Sequence, residues 1–211
     1  MIFLKSQSTD FVLQARLEPV YTLTWSSKPA VTTGIVIKGA NDNLPTVQIS
    51  LVPPGQTGQK VSTIRQECNV EFFVDSVAYG LNEVLGTNDV HVRLSGSMIH
   101  VSYPSQKLQL DMKVVVWQNV CHFTIDYVLL DCANNNDYVG LLGSPDGDKA
   151  NDWMDGNNTP LTVPSGSGGY MFQPAYDYAI DNWCIGNPLD SYFTYPYDNL
   201  NFFNYTNCLE P

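Results

Sequence analysis

An all-β fold, an antiparallel β-sandwich, follows from three observations. Through the first 130 residues, short runs rich in β-branched and aromatic side chains succeed one another, several alternating apolar with polar. Clusters of Gly, Pro, Asn and Ser separate them. Helical periodicity is absent until Ala175–Trp183. Eight or so short strands with regular turns are the pattern of a sandwich or barrel.

In chain order the predicted strands are FVLQARL (11–17), VTTGIVIKG (31–39), PTVQISLV (45–52), NVEFFVDSVAY (69–79), DVHVRLSG (89–96), MIHVSYP (98–104), LQLDMKVVVW (108–117) and VCHFTIDYVLL (120–130). Val90, Val92 and Leu94 share one face of their strand, and Leu108, Leu110 and Met112 one face of theirs. Turn residues stand at Gly39–Asn43, Pro53–Gly58, Ser95–Ser97, Pro104-Ser105 and Gln118-Asn119. The opening MIFLKSQSTD has only a short apolar trio, without the apolar run of a secretion signal. The expectation is a chain that is not secreted or one that begins inside a longer precursor.

At 211 residues the chain suits one large domain. A sandwich is expected over 1–165. A Gly/Ser joint and an aromatic segment over 166–211 would pack on that domain or on a partner. Twelve of the 25 aromatic residues fall between Tyr170 and Tyr205. No run approaches the roughly 18 apolar residues of a membrane span, so membrane insertion is not expected.

The net charge of −11 sits in one half. Up to Lys113 nine basic residues match nine acidic ones; beyond it come twelve acids and only Lys149. Such a field repels phosphate backbones, which argues against nucleic acid, and attracts cations.

The five cysteines include no Cys-x-x-Cys and no zinc spacing. If 120–130 is one extended strand, Cys121 and Cys132 lie roughly 35 Å apart, beyond the Cα separation of about 7 Å that a disulfide tolerates. The preferred pairs are Cys68–Cys121 across neighbouring strands and Cys132–Cys184, with Cys184–Cys208 competing for the second. Cys208 is then free or bonded to another chain. Asn157 and Asn204 head glycosylation sequons. Sequons, dispersed cysteines and acidic loops together favour an extracellular setting.

GLLGSPDGDKANDWM (140–154) concentrates Asp146, Asp148 and Asp152, with Asn151 beside the last and Gly147 to turn the chain. Calcium takes about six to eight oxygen ligands, and close carboxylates with a tight turn can gather them from one loop. The helix–loop–helix calcium pattern fails here, with Ala150, Asn151 and Asn157 at its key places. An Asx-rich surface loop is the alternative reading.

The run Gly140–Asp152 resembles the Gly-Leu-Cys-Gly-Asn-Phe-Asp-Gly-x-x-x-Asn-Asp signature of the von Willebrand factor type D domain, in the variety found in algal and protist surface proteins. The strands TTGIVIKG, TVQISLV, VEFFVDSV and VRLSGSMIHVSYP are diffusely similar, and Trp183 falls where the family often carries a tryptophan. The likeness covers roughly residues 10–184. It implies calcium ligands at Ser144, Asp146, the Asp148 backbone carbonyl, Asn151 and Asp152. Three departures stand out. Ser144 replaces an asparagine, Leu142 replaces the cysteine that ties the loop to the domain start, and the family's Gly-Asp-Pro-His opening is missing. Water, Asp126, Asp131, Asp137 or a partner chain would then close the calcium shell.

Catalysis is not expected. His91, His100 and His122 lie within strands, and Cys121 and His122, adjacent on one strand, point to opposite faces. Neither a nucleophile elbow nor a phosphate loop occurs. The expected function is an extracellular, calcium-stabilised structural or adhesive module of a cell-surface or matrix assembly, with protein partners or self-association through Cys208 and the 192–205 aromatic segment. The alternative is a calcium-dependent carbohydrate-binding module that stacks glycans on its tyrosines.

Overall fold

Alternating burial along successive strands builds the core. The computed structural model describes residues 1–19, 30–52, 58–80, 90–129, 137–141, 155, 159, 181–185 and 190–193. The strands are β1 (Ile2–Ser6), β2 (Val12–Pro19), β3 (Ala30–Lys38), β4 (Val47–Leu51), β5 (Gln59–Ser62), β6 (Glu67–Val74), β7 (Val77–Tyr79), β8 (His91–Ser95), β9 (Met98–Tyr103), β10 (Leu108–Trp117), β11 (Val120–Leu129) and β12 (Tyr138–Val139). Every pairing among them is antiparallel.

The all-β class is what the sequence predicts, but the strands form one hydrogen-bonded network and not two separate sheets. Its main path runs β12-β1-β2-β3-β11-β10-β9-β8. With β2 along one edge of β3, the other edge is shared. Gly34–Ile37 pair with β4, and Thr32 pairs with Phe123 of β11. The sheet therefore divides at β3 into two limbs, β4-β6 with β5 and β7 on its far edge, and β11-β10-β9-β8. The β2–β3 register shifts at this point, between Arg16 and Leu17, leaving Thr33 unpaired in the ladder. Such a bulge bends and twists its strand.

The limbs curl over one core. Val47, Ile49, Val70 and Phe72 from one limb and Ile99, Val101, Leu108, Leu110 and Met112 from the other belong to a single buried cluster, joined by Leu13, Ile35 and Ile37. Val90 and Val92 are buried in it too, and Leu94 packs against it. Tyr103, fully buried, crosses from β9 to donate its hydroxyl to the Pro45 carbonyl at 2.8 Å. Burial of each such side chain contributes about 1.5–3 kcal/mol.

Cys68 on β6 and Cys121 on β11 are joined by a disulfide with Cα atoms 6.0 Å apart. Their strands are not hydrogen-bonded neighbours, as the sequence suggested, but members of opposite limbs. The bridge ties the limbs where Gln66 also reaches across, donating its amide to the Asn119 carbonyl at 3.3 Å.

The run 69–79 is a hairpin and not one strand. Asp75 and Ser76 both take positive φ (47° and 68°), which folds β7 back on β6 with Val74 opposite Val77. Two successive left-handed residues match the right-handed twist of the flanking strands. Asp75 is secured by its own side chain, whose Oδ1 accepts the Thr46 N–H at 2.8 Å. Strands β1, β5 and β12 are additions to the sequence reading. Among the described residues no helix is long and apolar enough to cross a membrane.

Candidate functional site

Of the predicted calcium loop, the structure describes its start. Val139 closes β12, opposite Lys5 of β1. Gly140 then lies against the β1 backbone, where a Cβ would stand 2.3 Å from the Phe3 carbonyl oxygen, so only glycine allows this approach. Leu141 continues the contact, its N–H donating to the Ile2 carbonyl at 3.3 Å. Trp183, within a helical turn at 181–183 and fully buried, packs with Val139, Met1, Ile2 and Leu141. Lys5 Nζ lies 5.6 Å from the centre of its ring. Cys184 beside it is disulfide-bonded. Its partner lies outside the described residues.

The expected ligands Ser144, Asp146, Asp148, Asn151 and Asp152 lie outside the described residues. So do Asp131, Cys132, Cys208, Asn157 and Asn204. Of the carboxylates considered to complete a shell, Asp137 is engaged in a turn. Its Oδ2 accepts the hydroxyls of Ser6 (2.5 Å) and Ser8 (2.9 Å), and its carbonyl accepts the Gln7 N–H at 2.8 Å. Asp126 is on β11, four strands from β12 along the sheet path, opposite Asp111. Among the described residues no group of three His, Cys, Asp or Glu side chains is placed to hold a metal. On either side of the Asn157 sequon position, Asp155 Oδ1 accepts the Thr159 N–H at 2.8 Å and Thr159 is exposed.

The histidines are sheet residues. His100 Nδ1 lies 2.9 Å from Asp111 Oδ1 on the neighbouring strand, and His122 Nδ1 lies 3.4 Å from the Val120 carbonyl. Cys121 carries no thiol, its sulfur being in the bridge to Cys68.

A second region takes in residues 190–193, part of the 166–211 segment that the sequence assigns to packing on the domain or on a partner. Residues 190–193 lie across β2 and β3, gripped by the nearly buried Gln14 side chain. Its Nε2 donates to the Asp190 carbonyl at 2.9 Å and its Oε1 accepts the Tyr192 N–H at 3.0 Å. Phe193 drops over Gly34, where any Cβ would come within 2.9 Å of its ring. Arg16 lies beneath, its guanidinium 5.8 Å from the Phe193 centroid. The same guanidinium bonds the Thr33 hydroxyl (3.0 Å) and the carbonyls of Thr33 and Leu51 (3.2 Å each), and pairs with Glu18 at 3.0 Å. It thus satisfies the carbonyl of the bulged residue and that of the end of β4, where the sheet divides.

Seating Phe193 holds Tyr192 over the outer face of β4 and β6. Tyr192 there helps enclose an open hollow of about 250 Å³ with Thr46, Gln48, Phe73, Asp75 and Ser76. No protein-family model matches the chain, and no curated protein matches it. The loop start offers a rigid edge from which an oxygen-rich segment departs. The hollow offers an aromatic ring beside hydroxyl, amide and carboxylate groups. No single stretch of sequence signals it, because its walls come from residues 46–48, 73–76 and 192.

Proposed function

We propose that the chain is a non-catalytic, extracellular structural or adhesive module of the von Willebrand type D kind, stabilised by calcium in the 140–152 loop. The observation that carries this reading is the anchoring of Gly140 and Leu141 against β1. A loop that leaves from a fixed edge loses less entropy on gathering its carboxylates around an ion than one hung between mobile ends. The disulfides at Cys68–Cys121 and at Cys184 suit an oxidising compartment. The acidic excess beyond Lys113 favours a cation.

Thermal unfolding with calcium and with chelator tests it. A ligand that binds only the folded chain stabilises it by about 2.7 kcal/mol at a hundredfold excess over Kd, a rise of roughly 5–11 °C for a chain of this size. An unchanged midpoint removes the cation site. A second reading, a calcium-dependent carbohydrate-binding module, draws on the same oxygen-rich 140–152 loop, whose ion would hold sugar hydroxyls. Retention on immobilised glycans in calcium, lost in chelator, would favour it.

A further inference from the structure

We propose that the hollow over β4 and β6 is a saccharide site that receives one neutral pyranose ring. It stands apart from β12 and Gly140, where the 140–152 loop begins, and does not depend on calcium. Its volume of about 250 Å³ lies just below the roughly 300–1,000 Å³ of pockets for drug-sized ligands, a size suited to a single sugar ring open to solvent on one side.

The wall chemistry selects the ligand. Tyr192, 39% exposed, presents ring surface on which the C–H face of a pyranose can lie, and the nearly buried Phe73 extends that apolar wall. Hydroxyl groups that both donate and accept find matching partners around it. Gln48 supplies an amide, Thr46 and Ser76 supply hydroxyls, and Asp75 supplies a carboxylate. Asp75 Oδ1 takes the Thr46 N–H, while Oδ2 accepts from no group among the described residues. A carboxylate here repels phosphate, sulfate and uronate ligands. Lys38 Nζ, 5.6 Å from the centre of the Tyr192 ring, lies within ion-pair distance of Asp10 (3.6 Å) and Asp42 (3.7 Å), so its charge is already compensated and does not draw an anion to the ring. A neutral polyhydroxylated ring suits these walls.

The walls are held before any ligand arrives. Gln48 is only 4% exposed and bonds Ser50 Oγ at 3.1 Å, so a buried polar side chain forms the floor. Asp75 is fixed by its turn, and Tyr192 is positioned by the Gln14 grip on its N–H and by Phe193 seated over Gly34. Positioning of this kind lowers the entropy lost on binding.

The test is ligand-observed and protein-observed NMR on the full chain with a panel of methyl pyranosides (gluco, galacto, manno and N-acetylglucosaminide), in chelator. Binding is expected to saturate in the millimolar range, the scale of a single-ring contact. The Gln48 side-chain amide and the Tyr192 and Ser76 backbone signals should move together. Tyr192→Ala should weaken binding by about tenfold or more, while Tyr192→Phe, which keeps the stacking face, should hold within about twofold. Asp75→Asn, which tolerates the same positive φ, should leave the fold intact and weaken binding. The proposal is overturned if no glycoside moves these signals, or if Tyr192→Ala binds like the parent while its melting midpoint is unchanged. Binding seen only in calcium also overturns it, by moving the sugar to the acidic loop; a calcium-independent site leaves the loop reading untouched.

Discussion

At Gly140 the constraint is steric. Gly140→Ala would drive a methyl group into the Phe3 carbonyl, at about 1–3 kcal/mol for overpacking. The expected readout is faster hydrogen exchange at the Leu141 N–H. Gly34→Ala acts at the 190–193 segment, lifting Phe193 from its seat. Proteolysis in the 190–193 region should accelerate while the melting midpoint moves little, because the sheet beneath is unaltered.

Strands with clean alternation were legible. The buried-exposed rhythm of β9 and β10 is the one that Ile99, Val101, Leu108, Leu110 and Met112 announce. The strands that escaped lack that rhythm for physical reasons. In β1 the register shifts between Ile2 and Leu4, so Phe3 and Leu4 are buried side by side and the period of two is lost. In β5 only Val61 points inward, and β12 has two residues. The β6–β7 turn is hidden because Asp75-Ser76 lacks the glycine that usually marks two left-handed positions. Between the limbs, the Cys68–Cys121 bridge closes 53 residues. In the chain-entropy account a loop of that length is worth about 4 kcal/mol. Replacing both cysteines with serine should lower the melting midpoint by roughly 8–16 °C while leaving far-ultraviolet circular dichroism β-rich. A loss of β signal at low temperature would instead make the bridge a condition of folding.

For the whole molecule, the candidate cation loop was legible because its carboxylates lie close in sequence, whereas the hollow beside Tyr192 was not, because folding alone assembles it. The two regions predict separable behaviour. Asp146→Ala with Asp152→Ala should abolish any thermal response to calcium, and any calcium-dependent change in size by light scattering, while glycoside binding at Tyr192 survives. Joint loss of both responses would show the regions to be coupled. The branching at β3 also bears on the order in which the chain assembles. Strands β8 to β11 pair consecutively, so that limb needs only contacts between near neighbours in sequence. Its one ladder pair to β3, Phe123 with Thr32, spans most of a hundred residues. Contacts of low sequence separation form quickly and distant ones slowly. Residues 90–129 are thus placed to fold as an early unit that waits for β3, with the edge of β11 open in the interval and vulnerable to pairing with another copy.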